Sequence, residues 1–219
     1  MQRRVLAWMQ QRRVQVGERF NTATHGLGLA LAIAGACVML PRALLLGDLV
    51  RLIGAGVFVL ATIALFAASC LLHASRGGLR ALGERADHCA IYGLIAGTYT
   101  PFALASSPGE LGWSLLATVW ALAGWAIRGA LLAADGQTPP LWHYLALGWL
   151  CVLGVVPSVE ALGPAALAWL LIGAGLYSAG TVFYRNRSGW RHAHGTWHLF
   201  VVGGAGSHYL GVLRLLTEH

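Results

Sequence analysis

Seven apolar runs divide the chain, at about 21–40, 52–74, 87–106, 111–128, 141–157, 164–184 and 194–213. Each is close to the roughly 20 residues that a helix needs to cross a bilayer. Helix-breaking stretches separate them: Pro41, the Arg/Gly stretch 75–86, Pro108-Gly109, Asp135-Gly136 through Pro140, Gly163-Pro164, and 185–193. The connections are short, with no visible repeat or low-complexity segment. Residues 1–20 come before the first run and carry five Arg. Val5, Trp8 and Met9 can share one helical face there, which suits a helix lying on a membrane surface. The pattern predicts an all-α membrane protein of seven transmembrane helices. Residues 1–20 form a basic arm and 21–219 a single membrane domain.

Composition narrows the classes further. Hydrophobic residues make up 57% of the 219 and charged residues 11%, against about 25% charged in a soluble domain. Such a chain lacks the polar groups to cover a globule. That excludes an ordinary cytosolic enzyme, a disordered chain and a disulfide-stapled secreted domain. The first apolar run is also longer than the core of a signal peptide. The four cysteines lie in or beside apolar runs with no C-x-x-C pair, and read as small buried hydrophobes.

The net charge of +7 does not indicate nucleic acid as a partner. All fifteen basic residues are Arg, placed between apolar runs, where they report topology. With the N-terminus inside, the inner segments hold twelve Arg, and the outer ones only Arg42, Arg51 and Arg214. The N-terminus is therefore expected in the cytoplasm and the C-terminus outside.

Ionisable residues within spans are costly, so each is a functional candidate. Span 2 ends LFAASCLLHASR, with Ser69 and His73 four residues apart on one face. Span 3 opens with Asp87 and His88, and span 7 with HGTWH, which sets His194 and His198 on one face. The Arg count puts all of these at the cytoplasmic level. Three imidazoles make a catalytic type of zinc site with a fourth position open, and zinc activates water at neutral pH. A carboxylate such as Asp87 can take the proton, and a hydroxyl such as Ser69 can stabilise an oxyanion. Taken singly, each residue has a plainer reading. The His pair can form a proton relay or pack on backbone, Ser69 can pack helices, and Asp87 can cap span 3. His25, at the start of span 1, reads equally as a helix-start residue or as a support for the ligands. His143, beside Trp142 and Tyr144, reads as interfacial. His88 and His192 fall off the ligand faces. His208, among Gly203, Gly204 and Gly206, reads as a hydrogen bond to a neighbouring helix. Gly97 and Pro101 should bend span 3.

The segments GERFNTATHGLGLALA (17–32), SCLLHA (69–74), RADHCAIYGLIAGTYTPF (85–102), LYSAGTVFYRNR (176–187) and HAHGTWHLFVVGGAGSHY (192–209) resemble the haemolysin III proteins. These are the bacterial branch of the group that includes the adiponectin and progestin receptors. The resemblance implies a seven-helix fold with zinc near the cytoplasmic side. His73, His194 and His198 would be its ligands, Asp87 would hold the zinc-bound water and Ser69 would line the site. The wider superfamily is similar to the alkaline ceramidases, zinc amidohydrolases of membrane lipids. The chain departs from the family pattern at Arg19, often Glu, and at Leu72, often aromatic; neither is a proposed ligand.

The expectation is thus a zinc-dependent hydrolase of a bacterial plasma membrane, embedded in the lipid bilayer and acting on a lipid-like amide or ester. Two other classes stay open: a receptor-like or regulatory protein with structural zinc, and a lytic or channel-forming protein. The last should show a continuous polar face, whereas the polar residues here gather at one end.

Overall fold

The computed structural model describes the backbone of residues 2–106, 110–133, 137–155 and 159–217, with side chains from Gly17 onward apart from a few flanking the gaps. It consists of helices: α1 (Gln2–Leu45), α2 (Leu49–Ala74), α3 (Gly78–Ser106), α4 (Glu110–Leu132), α5 (Leu141–Val155), a single turn α6 (Val159–Leu162), α7 (Pro164–Arg185) and α8 (Ala193–Leu215). Six of the apolar runs lie inside a helix. The seventh, 141–157, coincides with α5 as far as Val155. The expected breaks at Pro108-Gly109 and Asp135-Gly136 fall outside the described residues.

Two boundaries differ from expectation. Pro41 lies inside α1 and does not end it. Proline removes one N–H, hence one backbone bond, and a helix in an apolar setting has little to gain by unravelling further. The helix ends instead at Leu45, and Gly47, with a φ of +67°, makes the turn that follows. The basic arm continues directly into α1 as one helix. At the other boundary, α3 begins at Gly78, nine residues before Asp87. Asp87 is therefore mid-helix, which removes its reading as an N-cap. Asp48 does cap a helix: its Oδ1 accepts from the backbone N–H groups of Val50 (2.9 Å) and Arg51 (3.2 Å) at the start of α2.

Contacts between helices give their relative directions. On α2 and α3, Leu72 lies against Gly83, Ala61 against Gly97 and Gly54 against Pro101, an antiparallel register. A Cβ on Gly97 would come within 2.6 Å of the Ala61 methyl, so this glycine serves close approach of α2. On α1 and α8, Phe20 lies against Gly195, and the Tyr209 hydroxyl donates to Gly35 O at 3.3 Å, a parallel register. The α7–α8 pair is antiparallel, with Tyr177 against Gly204 and His208 against Gly173. The long helices α1, α2 and α3 thus alternate in direction, and α7 opposes α8. The C-terminal end of α2 meets the N-terminal ends of α1, α3 and α8 at one end of the bundle.

Among the described residues, four helical stretches are long and apolar enough to cross a membrane: Gly17–Leu45, Leu49–Ala74, Gly112–Leu132 and Pro164–Arg185. Helix α5, at 15 residues, is apolar but shorter. The remaining two, α3 and α8, open on GLRALGERADH and AHGTWH. Their reduced hydropathy comes from the polar residues that gather at the shared end. The bundle's outer surface is apolar, with Leu45, Leu60, Trp125 and Val182 all more than two-thirds exposed. An exposed apolar surface this extensive fits a lipid environment. Phe58, Tyr92, Phe102, Val155 and Val212 form the interior.

Candidate metal centre

Glycines set the spacing of the helices that carry the site. A Cβ on Gly83 would fall 2.7 Å from the backbone of Leu72, so α2 and α3 pack there almost backbone to backbone. One turn further along α3, the same register brings Asp87 beside Ser69. A Cβ on Gly195 would strike the Phe20 ring, so α8 lies equally close to α1. That contact draws His194 and His198 towards the end of α2.

The three imidazoles of His73, His194 and His198 converge. Each offers a nitrogen, and the three lie within 4.8 Å of one another, so the group can hold a metal ion. Ring centroids are 5.1 Å apart for His73–His194, 4.9 Å for His73–His198 and 4.6 Å for His194–His198. Two of the rings are buried.

Hydrogen bonds fix which nitrogen is free. The His73 Nδ1–H donates to Glu18 Oε2 on α1. Glu18 Oε1 in turn accepts from Arg80 Nη2 at 2.9 Å. His73 Nε2 is left buried with no partner, so its lone pair is free to ligate a metal. The Nδ1 of His198 is 3.1 Å from Asn21 O. A carbonyl has no proton to give, so Nδ1 carries it and Nε2 keeps its lone pair. Thr24 Oγ1, also 3.1 Å from that Nδ1, is placed to accept from it because its own proton goes to backbone carbonyls. Outer partners of this kind orient metal-binding histidines and raise their basicity. The donor set therefore fits a metal that takes imidazole nitrogen.

Ser69 is 1% exposed, and Asp87 on α3 is within hydrogen-bonding reach of its buried hydroxyl. The Asp87 carboxylate lies beside it and within electrostatic reach of His73. His25 is 3% exposed, and its ring stacks on His198 with centroids 3.6 Å apart. It thus lies inside the site as well as on the first helix. His88 also lines the cavity described below, whereas His192 packs edge-on against Phe20. His143 contacts Trp142.

Glu18, Asn21 and Thr24 were not singled out from sequence. Their signal was present: Glu18, Asn21 and His25 recur at i, i+3 and i+7, a polar stripe on one face of an otherwise apolar helix.

The cluster opens onto a cavity of about 320 Å³. Ser69, His73, Asp87, His194 and His198 line one end. Beyond them the walls are mostly apolar, including Leu94, Phe102, Val152 and Val201, and reach as far as His208.

A family model described as haemolysin-III related matches residues 14–209. The chain belongs to this family. It is 35% identical over 195 residues to the hemolysin-3 homolog of Bacillus subtilis (strain 168), covering 88% of this chain and 91% of that protein. Identity to the hemolysin-3 of Bacillus cereus is also 35%, over 198 residues, covering 88% and 89%. A more distant relative is the human monocyte to macrophage differentiation factor, 29% identical over 203 residues, covering 90% and 83%. The family match spans all three histidines, Asp87, Ser69 and the Glu18 stripe.

Proposed function

We propose that this member of the haemolysin III family is a zinc-dependent hydrolase of a bacterial plasma membrane, acting on a lipid-like amide or ester. In this reading seven helices span the bilayer, with the N-terminus in the cytoplasm and the C-terminus outside. A reporter fused after His219 should then be external and one near Gly77 cytoplasmic; both on one side would refute the odd number of spans.

One observation carries the reading. Three imidazole nitrogens converge beside an acidic and a hydroxyl side chain at the polar end of a largely apolar cavity in the helix bundle. His73, His194 and His198 would hold zinc and leave a fourth position open, the arrangement of catalytic rather than structural sites. A bound zinc supplies a Lewis acid and makes water a nucleophile at neutral pH. Asp87 takes the proton of the attacking water and returns it to the leaving group. Ser69, buried beside Asp87, donates to the oxyanion that develops on the substrate carbonyl. The apolar walls accept the hydrocarbon part of the substrate and exclude bulk water.

Metal analysis of purified protein tests this. About one zinc per chain is expected, lost in His194→Ala with a lower melting temperature, because a ligand bound only by the folded state stabilises it. Unchanged zinc in that variant would refute the assignment.

A further inference from the structure

A second polar pair lies on the cavity wall, about 15 Å from His198 by ten residues of helical rise. It consists of His208 on α8 and Tyr177 on α7, whose ring centroids are 5.5 Å apart. Both line the cavity. His208 is 6% exposed, its Nδ1 has no partner, and neither has the buried hydroxyl of Tyr177.

The two rings are seated reciprocally. A Cβ on Gly173 of α7 would lie 2.2 Å from the His208 ring, and one on Gly204 of α8 would lie 2.8 Å from the Tyr177 ring. Each large polar side chain thus occupies room left by a glycine on the opposite helix. The seam itself is tied by other bonds. His208 Nε2 lies 3.1 Å from Leu170 O, and Ser207 Oγ donates to Trp169 O at 2.7 Å. This confirms the expected bond from His208 to a neighbouring helix, but it uses only one of the two ring nitrogens.

The proton inventory then defines what is missing. A carbonyl can only accept, so His208 Nε2 carries the proton and Nδ1 presents a lone pair. Tyr177 presents an O–H. Buried polar groups are nearly always paired, and each exception calls for an explanation. A hydroxyl group meets both needs at once: its proton goes to Nδ1 and its oxygen accepts from Tyr177. A carbonyl would satisfy Tyr177 alone, and an alkyl chain neither.

We propose that His208 and Tyr177 form a second binding subsite that takes a hydroxyl carried on the hydrocarbon chain of the ligand, distant from the group held at the histidine cluster. This rests on the reading of the cavity as a chamber for a lipid-like molecule, and it narrows the substrate class to hydroxylated chains. The metal end sets where the headgroup sits, and the second pair selects among chains.

The test compares two probes with the same head: dodecanoate and 12-hydroxydodecanoate, whose extended chain matches the span. Binding of each to detergent-solubilised protein is measured by calorimetry. The preference for the hydroxylated probe in wild type is divided by that in Tyr177→Phe, which deletes one oxygen and leaves the ring on Gly204. This ratio cancels micelle partitioning and every contact at the carboxylate end. It should be roughly tenfold, the worth of a lost buried hydrogen bond, with dodecanoate binding unchanged. His208→Phe should show the same loss if it folds; Tyr177→Phe decides the matter alone if it does not. A ratio near one overturns the subsite and leaves the pair as helix packing or a water site. The comparison is repeated in His194→Ala. Loss of zinc there weakens both probes equally and the hydroxyl preference persists, so failure of the metal reading is distinguishable from failure of the subsite. Disappearance of the preference in that background would also overturn the subsite.

Discussion

Glu18 on the first helix accepts the Nδ1 proton of His73 on the second, 55 residues further along the chain. With the bonds of Asn21 and Thr24 to His198, this bond joins the N-terminal helix to the histidine cluster. It sets the tautomer of His73 and turns Nε2 towards the other two histidines. Arg80, from the start of α3, bonds Glu18 from the other side and also donates from Nη1 to Leu72 O at 3.3 Å. One ionic relay therefore fastens α1, α2 and α3 together behind the site.

Glu18→Gln tests this relay. The amide keeps the size and an accepting oxygen but loses the negative charge that faces the His73 Nδ1–H. Zinc affinity should fall by about 10- to 100-fold, the usual effect of losing an outer partner, with helix content unchanged. Competition against a fluorescent chelator gives the number. Unaltered affinity would mean that Glu18 merely fills space.

The helix plan was legible in the sequence because hydrophobic runs of bilayer length leave few alternatives. The convergence of His73, His194 and His198 was legible because they stand out against apolar surroundings at matching ends of their runs. Pro41 was misread as a break, because proline's cost is one hydrogen bond and the surroundings decide whether a helix absorbs it. Asp87 stayed ambiguous until α3 was seen to start at Gly78. Glu18, Asn21 and Thr24 went unnoticed for a different reason. Asn21 and Thr24 act through a parallel pairing of α1 with α8, some 174 residues apart, and Glu18 through a pairing of α1 with α2, 55 residues apart; no local pattern encodes either pairing. The glycines were equally mute: sequence shows where they are, but not that Gly83 faces the backbone of Leu72 while Gly93 faces open space.

That contrast gives the second prediction. In Gly83→Ala the new methyl would meet backbone atoms of Leu72 at 2.7 Å, so α2 and α3 must separate. Overpacking of this kind costs about 1–3 kcal/mol, and it would draw Asp87 away from Ser69. Gly93→Ala, ten residues along the same helix, meets nothing within 4 Å. It should stabilise by about 0.5–1 kcal/mol through helix propensity. Thermal denaturation in detergent compares them, and equal melting temperatures would contradict the close packing of α2 and α3.

The last prediction separates turnover from metal binding, and it rests on Asp87 and Ser69. Neither is needed to hold an ion that already has three imidazoles. In Asp87→Asn the shape and a hydrogen-bonding oxygen survive, but the base does not. Zinc content and fold should be retained while hydrolysis falls by about 10²–10⁴-fold. Ser69→Ala removes a buried hydroxyl that lies beside the Asp87 carboxylate. It should keep zinc and the fold, yet lower hydrolysis by about 10²–10³-fold through loss of an oxyanion donor. The readout is a lipid-extract comparison of cells expressing each variant with cells lacking the protein, alongside zinc analysis of the purified chains. Release of zinc from Asp87→Asn would make Asp87 a fourth ligand, and a four-ligand site is closed and structural. Lipid profiles identical among wild type, both variants and the deletion would remove the hydrolase reading. The cluster would then stand as the structural core of a receptor-like protein.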